Sequence, residues 1–251
     1  MKLLVIALLA LVVSGAPLSC AAEAAQSFEE DIFQTSAGEV KITFVGHGTL
    51  IFSFDGKVLH VDPYSKVADY SLLPKADGVL ITHEHQDHLD KAALQHILTP
   101  ETDIVLNAKS AEILGRGRAL QNGHATQLLG IPVEAVPAYN IVHKRDTGQP
   151  FHPKGEHNGY ILTFGDTRIY IAGDTENTPE MKAVQGIDAA FRPMNLPFTM
   201  TPEMVADAAL AFKPKALYPY HMGQMDEERP AKLAELLKGS GIDLRIRKMG
   251  R

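Results

Sequence analysis

The chain has 251 residues, 45% hydrophobic and 22% charged, enough for one large domain or two small ones of ordinary globular composition. With 30 Asp and Glu against 24 Lys and Arg, the formal net charge is −6, and the only basic run is the short end "LRIRKMGR". That balance rules against nucleic acid as the main partner, because a phosphate backbone is held by clustered basic groups.

The opening residues read as a leader. "MKLLVIALLALVVSGAPLSCAAEAAQ" has Lys2, an apolar run from Leu3 to Val13, then small residues. This is the layout of a secretory signal peptide, and the apolar run is too short to span a membrane. Cleavage is expected after Ala22 or Ala24, giving a leader over residues 1–24 and one domain over 25–251 with no membrane span. Cys20 offers a lipoprotein alternative, although Pro17 stands where such sites place a leucine. Cys20 is also the only cysteine. The mature chain then has no disulfide and no thiolate, so any metal must be held by His, Asp or Glu.

Beyond the leader, "VKITFVG", "TLIFSFDG" and "KVLHVDP" are short, β-branched and turn-bounded, and Asp55-Gly56 marks a hairpin. "ADGVLITHEH" is a buried strand running into a histidine loop, and "DKAALQHIL" is a helix with Asp90 as its N-cap. "IPVEAVPAY", "GYILTFGD" and "TRIYIAGDT" are strands, the last two paired through a tight turn. In the final third, "TPEMKAV" and "TPEMVADAALAF" open as helices with a Thr cap and Pro at the first helical position. "DAAFRPMN" and "KALYPYH" are short strands. "PAKLAELLKGSG" places Leu233, Leu236 and Leu237 on one helical face and stops at Gly239.

The polar residues fall in a pattern on this map. Asp62 ends "KVLHVD", His83 and His85 follow "GVLIT", Asp174 ends "RIYIAGD" and His221 ends "ALYPYH". Groups at the carboxyl ends of buried strands can converge on one rim of a sheet. The loop "THEHQDHLD" puts His83, His85, Asp87 and His88 within six positions. Such a cluster is costly to bury unless positive charge sits in its middle. The spacing lets His83 and His85 face one ion while Asp87 and His88 face a neighbour, with Asp174 able to bridge and His221 to complete the second. Imidazole and carboxylate suit zinc, iron or manganese. Two ions about 3.5–4 Å apart can clamp the attacking and leaving oxygens of a displacement.

"THEHQDHLD", "IAGDTE" and "YPYHMG", in this order, resemble the metallo-β-lactamase-fold superfamily of metallohydrolases, from about residue 40 to the C-terminus. "VGHGTLIFSFDGKVLHVDPY" is similar to the opening of the subgroup containing ascorbate-6-phosphate lactonase and N-acylphosphatidylethanolamine phospholipase D. The resemblance implies an α/β fold, an αββα sandwich of two mixed sheets flanked by helices with the metals at one edge. It implies His83 and His85 on the first ion, Asp87, His88 and His221 on the second, and Asp174 between them. Asp87 is also the implied proton shuttle. The family usually offers a further histidine to the first ion where this chain has Asn140. His143, His152 and His157 are the candidates to replace it, with His152 preferred, and a single-metal site is the alternative. His47 is expected near the site, and Asp62 is expected to orient a ligand histidine. His60, His96 and His124 are expected to be packing or surface residues.

The function expected is hydrolysis of a small molecule through a metal-bound hydroxide at a dinuclear site, holding two divalent ions, zinc first and Mn2+ or Fe2+ as alternatives. A mononuclear iron oxidoreductase of the same fold, a nuclease of the same superfamily and a non-catalytic metal-binding protein are the competing readings. With the leader, the resemblance points to a bacterial periplasm. Lactones, phosphodiesters and amides are all compatible substrates, and the oligomeric state is left open. Tyr139, Lys144, Arg145, Lys154 and His157 are candidates for anion recognition or simply a solvated loop. Leu196, Phe198 and Met200 are candidates for an apolar wall or simply packing.

Overall fold

The computed structural model describes residues 26–249, so the leader expected over 1–24 lies outside the described residues. Two seven-stranded sheets are built to one plan. In the first, β1 (Glu29–Thr35), β2 (Gly38–Gly46), β3 (Thr49–Phe54) and β4 (Lys57–Val61) form an antiparallel meander. β5 (Gly78–Ile81), β6 (Asp103–Leu106) and β7 (Arg118–Ala119) then continue it in parallel. The second sheet repeats the scheme. β8 (Ala125–Leu128), β9 (Ile131–Ala138), β10 (His157–Phe164) and β11 (Thr167–Ile171) are antiparallel, and β12 (Ala189–Pro193), β13 (Ala216–Tyr220) and β14 (Asp243–Leu244) are added in parallel.

Strand parity assigns each side chain to a layer. Leu80 of β5 and Val105 of β6 enter the core between the sheets, whereas Val79, Ile81, Ile104 and Leu106 point outward. That outer face is covered by α1 (Lys91–Ile97) and α2 (Ala108–Leu114). In the second sheet Ile169, Ile171 and Phe191 face the central core, while Tyr170, Ala190 and Leu217 face the opposite helical layer. That layer consists of α3 (Pro179–Lys182), α4 (Pro202–Phe212) and α5 (Glu228–Leu236). Three apolar clusters thus separate four layers, helix–sheet–sheet–helix. Strands covered on both faces read as continuous apolar runs rather than as alternations, which explains "GVLI" and "ALYPY".

Local signals act where the sequence places them. Asp90 caps α1 by accepting from the N–H groups of Ala92 and Ala93, and Thr178 and Thr201 cap α3 and α4 with Pro at the next position. Asp55 and Gly56 both take positive φ in the β3–β4 turn, as a two-residue hairpin demands. α5 starts at Glu228, two residues before the sequence reading places it, and ends at Leu236, with Leu233 and Leu237 buried.

Candidate metal centre

The carboxyl ends of β4, β5, β11 and β13 meet at one rim of the sandwich and carry Asp62, Thr82-His83, Asp174 and His221. Close packing there is permitted by glycines. A Cβ on Gly48 would stand 3.2 Å from His88 and 3.3 Å from His221. Gly173, with φ +64°, lies where a Cβ would be 2.8 Å from the Asn158 carbonyl oxygen. His47, Asp62 and His221 also hold left-handed backbone, with φ of 52°, 45° and 48°. Positive φ in non-glycine residues is uncommon and costs energy that the surrounding packing must offset.

Two donor groups form at this rim. His83, His85 and His152 present one nitrogen each within 4.8 Å of one another, and His47, Asp87, His88 and His221 form a second such set. Asp174 lies between them, buried. Its Oδ2 is 3.4 Å from His152 Nε2, and its Oδ1 is 3.5 Å from His88 Nε2 and 3.3 Å from His221 Nε2. Asp87 Oδ2 is 2.9 Å from His47 Nε2 and 3.4 Å from His221 Nε2.

The histidines are aimed by groups behind them. His88 Nδ1 donates to Asp62 Oδ2 at 2.8 Å, which leaves Nε2 facing the site. Asp62 also accepts from the Thr82 hydroxyl at 2.6 Å and the Thr82 N–H at 2.8 Å. With its hydrogen committed to Asp62, Thr82 Oγ1 accepts from His83 Nδ1 at 3.0 Å. One carboxylate therefore sets the tautomer of a histidine in each group, directly in one case and through Thr82 in the other.

Asn140 does not join either donor group. Its Oδ1 accepts from the backbone N–H and from Nδ1 of His152, at 2.8 and 2.7 Å. Its Nδ2 donates to Glu176 Oε1 at 3.1 Å and to the Phe198 carbonyl at 2.9 Å. Asn140 thus presents His152 Nε2 to the site instead of offering its own oxygen. Of the three replacement candidates, only His152 presents a nitrogen in the same donor group as His83 and His85. His143 Nδ1 turns to Glu176 at 2.7 Å, and His157 stacks on His83 at 4.7 Å between ring centroids, with Nε2 3.3 Å from Glu84.

The electrostatics suit cation binding. Burial pushes His83 well below the ordinary imidazole range and His85 and His47 down to about 4, so each ring is neutral at neutral pH, with one N–H and one nitrogen lone pair. Burial also opposes charge on His88, but Asp174, Asp62 and Asp87 outweigh it and raise that group well above its usual value. Positive charge is strongly favoured where those carboxylates converge. Oδ1 of Asp174 is buried with no hydrogen-bond donor among the described residues. Unprotonated imidazoles with a buried carboxylate lacking a donor fit divalent metal ions.

Thr82 and Glu176 do not stand out in the sequence. Glu176 is fully buried and accepts from three successive backbone N–H groups, those of Ile141, Val142 and His143, each at 2.7 Å. Its place directly after "AGDT" is the one local hint. The remaining histidines lie away from the donor groups. His60 is buried against the Pro74 carbonyl, and His96 and His124 are exposed.

A β-lactamase superfamily domain model matches residues 41–221. The chain belongs to the metallo-β-lactamase superfamily. Among its relatives, a UPF0173 metal-dependent hydrolase of Koribacter versatilis is 32% identical over 202 residues, covering 73% of this chain and 84% of that protein. A UPF0173 metal-dependent hydrolase of Methanopyrus kandleri is 25% identical over 222 residues, 82% of this chain and 95% of the other. A solved structure from Parabacteroides distasonis, classed as a metal-dependent hydrolase, is 48% identical and superimposes with a TM-score of 0.83, covering 89% of this chain and 100% of that one. With these relatives and the His/Asp cluster at its rim, this superfamily member is a metal-dependent hydrolase.

Proposed function

We propose that the two donor groups hold a pair of divalent ions, zinc in the first instance, and that the protein hydrolyses a small molecule in the cleft above them. The observation that carries this reading is Asp174, whose two oxygens face different groups, Oδ2 toward His152 and Oδ1 toward His88 and His221. His83, His85 and His152 would hold the first ion, Asp87, His88 and His221 the second, and Asp174 both. When bound, such ions supply Lewis acidity and lower the pKa of a water toward about 7.

The protein's own part is placement and proton handling. Asp62, Thr82 and Asn140 fix which nitrogen His88, His83 and His152 present, so these three need no reorganisation as charge develops. Asp87 is the carboxylate that reaches the cleft, with a side chain 29% exposed against 4% for Asp174. Its Oδ2 can take up a proton and pass it to a leaving group, and His47 at 2.9 Å holds that oxygen in place. The leader composition of residues 1–24 supports export to a bacterial periplasm, which mass determination of the mature N-terminus tests.

The decisive measurement is the identity and number of ions per chain in protein purified without chelators. Two zinc ions per chain are expected, and His85→Ala or Asp174→Ala should lose both metal and turnover. One iron per chain would favour a mononuclear oxidoreductase. Failure to take up any metal on reconstitution would end the reading.

A further inference from the structure

The metal cleft is walled on one side by an arm, residues 141–151, whose structure says what the site accepts. The arm is folded back on itself. Arg145 N–H donates to the Gln149 carbonyl at 2.8 Å, Gly148 N–H donates to the Arg145 carbonyl at 2.8 Å, and Lys144 pairs with Pro150. Its base is closed by Asn140 N–H on the His152 carbonyl at 2.9 Å, and Glu176 holds its first three N–H groups. The segment that supplies His152 to the metal centre therefore also carries Arg145 and Phe151, which line the same cleft.

Arg145 is the only lysine or arginine among the described residues lining the cleft of about 340 Å3 that also contains His85, Asp87, Asp174 and His221. Its side chain makes no ion pair or hydrogen bond within the described residues, and its guanidinium lies 4.9 Å over the Phe151 ring. Phe151 in turn meets Phe198 edge-on at 5.1 Å. The other cations of the region differ. Lys154 is held by Glu180 at 2.8 Å and the Tyr139 hydroxyl at 3.2 Å, and Lys144 does not line the cleft. A guanidinium placed over an aromatic face keeps its in-plane N–H donors free for a carboxylate or phosphate. The volume is at the small end of ligand cavities, roughly 300–1,000 Å3.

We propose that the arm selects an anionic substrate. It is a small molecule in which a carboxylate or similar anion, taken by Arg145, is joined to the hydrolysed bond by a short apolar segment lying on Phe151 and Phe198. This rests on the hydrolase reading above, and the test separates the two. Binding of hydrocinnamate and its neutral amide to the metal-loaded protein is measured by calorimetry in wild type, Arg145→Gln, Arg145→Lys and Lys144→Gln. Wild type should prefer the anion. Arg145→Gln should weaken it by about tenfold, as loss of a charge-assisted bond does, and Arg145→Lys should recover part of the loss. Lys144→Gln removes the same charge from the same arm and should change binding by less than twofold. No preference for the anion, no effect of Arg145→Gln, or an equal loss in Lys144→Gln would overturn the inference. Turnover of the p-nitrophenyl monoester of glutaric acid against p-nitrophenyl pentanoate reads the layer beneath. Both esters cleaved equally would remove the inference and leave hydrolysis standing. An intact binding preference with neither ester cleaved would leave the anion subsite standing and count against hydrolysis of esters.

Discussion

Replacing Asn140 by alanine tests how the first donor group is assembled. Asn140 is buried and its side chain makes four hydrogen bonds, two accepted from His152 and two donated, to Glu176 and to the Phe198 carbonyl. At about 1 kcal/mol for each of three neutral bonds and about 1.5–3 kcal/mol for the one to a carboxylate, the gross loss is about 4.5–6 kcal/mol. Glu176 keeps its other donors and water can enter the space left by the amide, so a net loss of about 2–4 kcal/mol in unfolding free energy is expected. The effect on metal is more specific. Removing the group that orients a ligand histidine costs about 10–100-fold in affinity, and only the ion held by His152 should feel it. Stepwise dissociation constants from competition with a chelating indicator measure this, with urea unfolding of the metal-free protein alongside. Asn140→Asp separates orientation from packing. Aspartate still accepts from His152 Nδ1, but its second oxygen would face Glu176 Oε1 where an amide N–H now donates. That variant should keep most of the metal affinity while losing stability. If Asn140→Ala left both constants within twofold of wild type, or weakened both equally, the role assigned to Asn140 would be wrong.

Gly173→Ala should lower the thermal midpoint and reduce metal content together, because φ of +64° and a Cβ 2.8 Å from the Asn158 oxygen would displace the adjacent Asp174. A cost of about 2–4 kcal/mol is expected from left-handed strain plus the backbone clash. Gly56→Ala, with φ +69° and open space around it, should cost only about 1 kcal/mol and leave metal content intact. Acid stability should depend on Asp31, which accepts from Tyr218 Oη at 2.6 Å, Arg247 at 2.7 Å and Arg245 at 3.3 Å. Burial would raise this carboxyl, but Tyr218, Arg247 and Arg245 outweigh it and hold it below the ordinary 3.8. A depressed folded-state value means the contribution is complete above about pH 3.8 and is lost as pH falls through the lower folded value. Asp31→Asn should therefore flatten the acid limb of a stability–pH curve recorded on metal-free protein, and an unchanged slope below pH 4 would contradict this.

The sequence by itself determined the features that short-range geometry controls. His83, His85, Asp87 and His88 must share one loop because they sit within six residues, and the apolar "GVLI" before them must be a strand end. Caps at Asp90, Thr178 and Thr201 were equally legible, since a cap needs only the three residues that follow it. Other elements escaped for reasons of length and surroundings. β6, "DIVL", is four residues and too short to show a period, and β1, "EEDIFQT", has Ile32 55% exposed and takes its register from β2.

Only the tertiary structure decided what completes the first donor group. His143, His152 and His157 are all candidates along the chain, with His152 preferred. The choice was made by Asn140 pairing with the backbone and ring of His152, and by Glu176, 36 residues further on, gathering the start of the arm. The same holds for Thr82, which matters because Asp62 and His83 arrive on either side of it from different strand ends. Residue spacing along a chain fixes what neighbours can do together. Which distant groups meet depends on the register of two sheets and the path of the loops between them, and no local pattern records that.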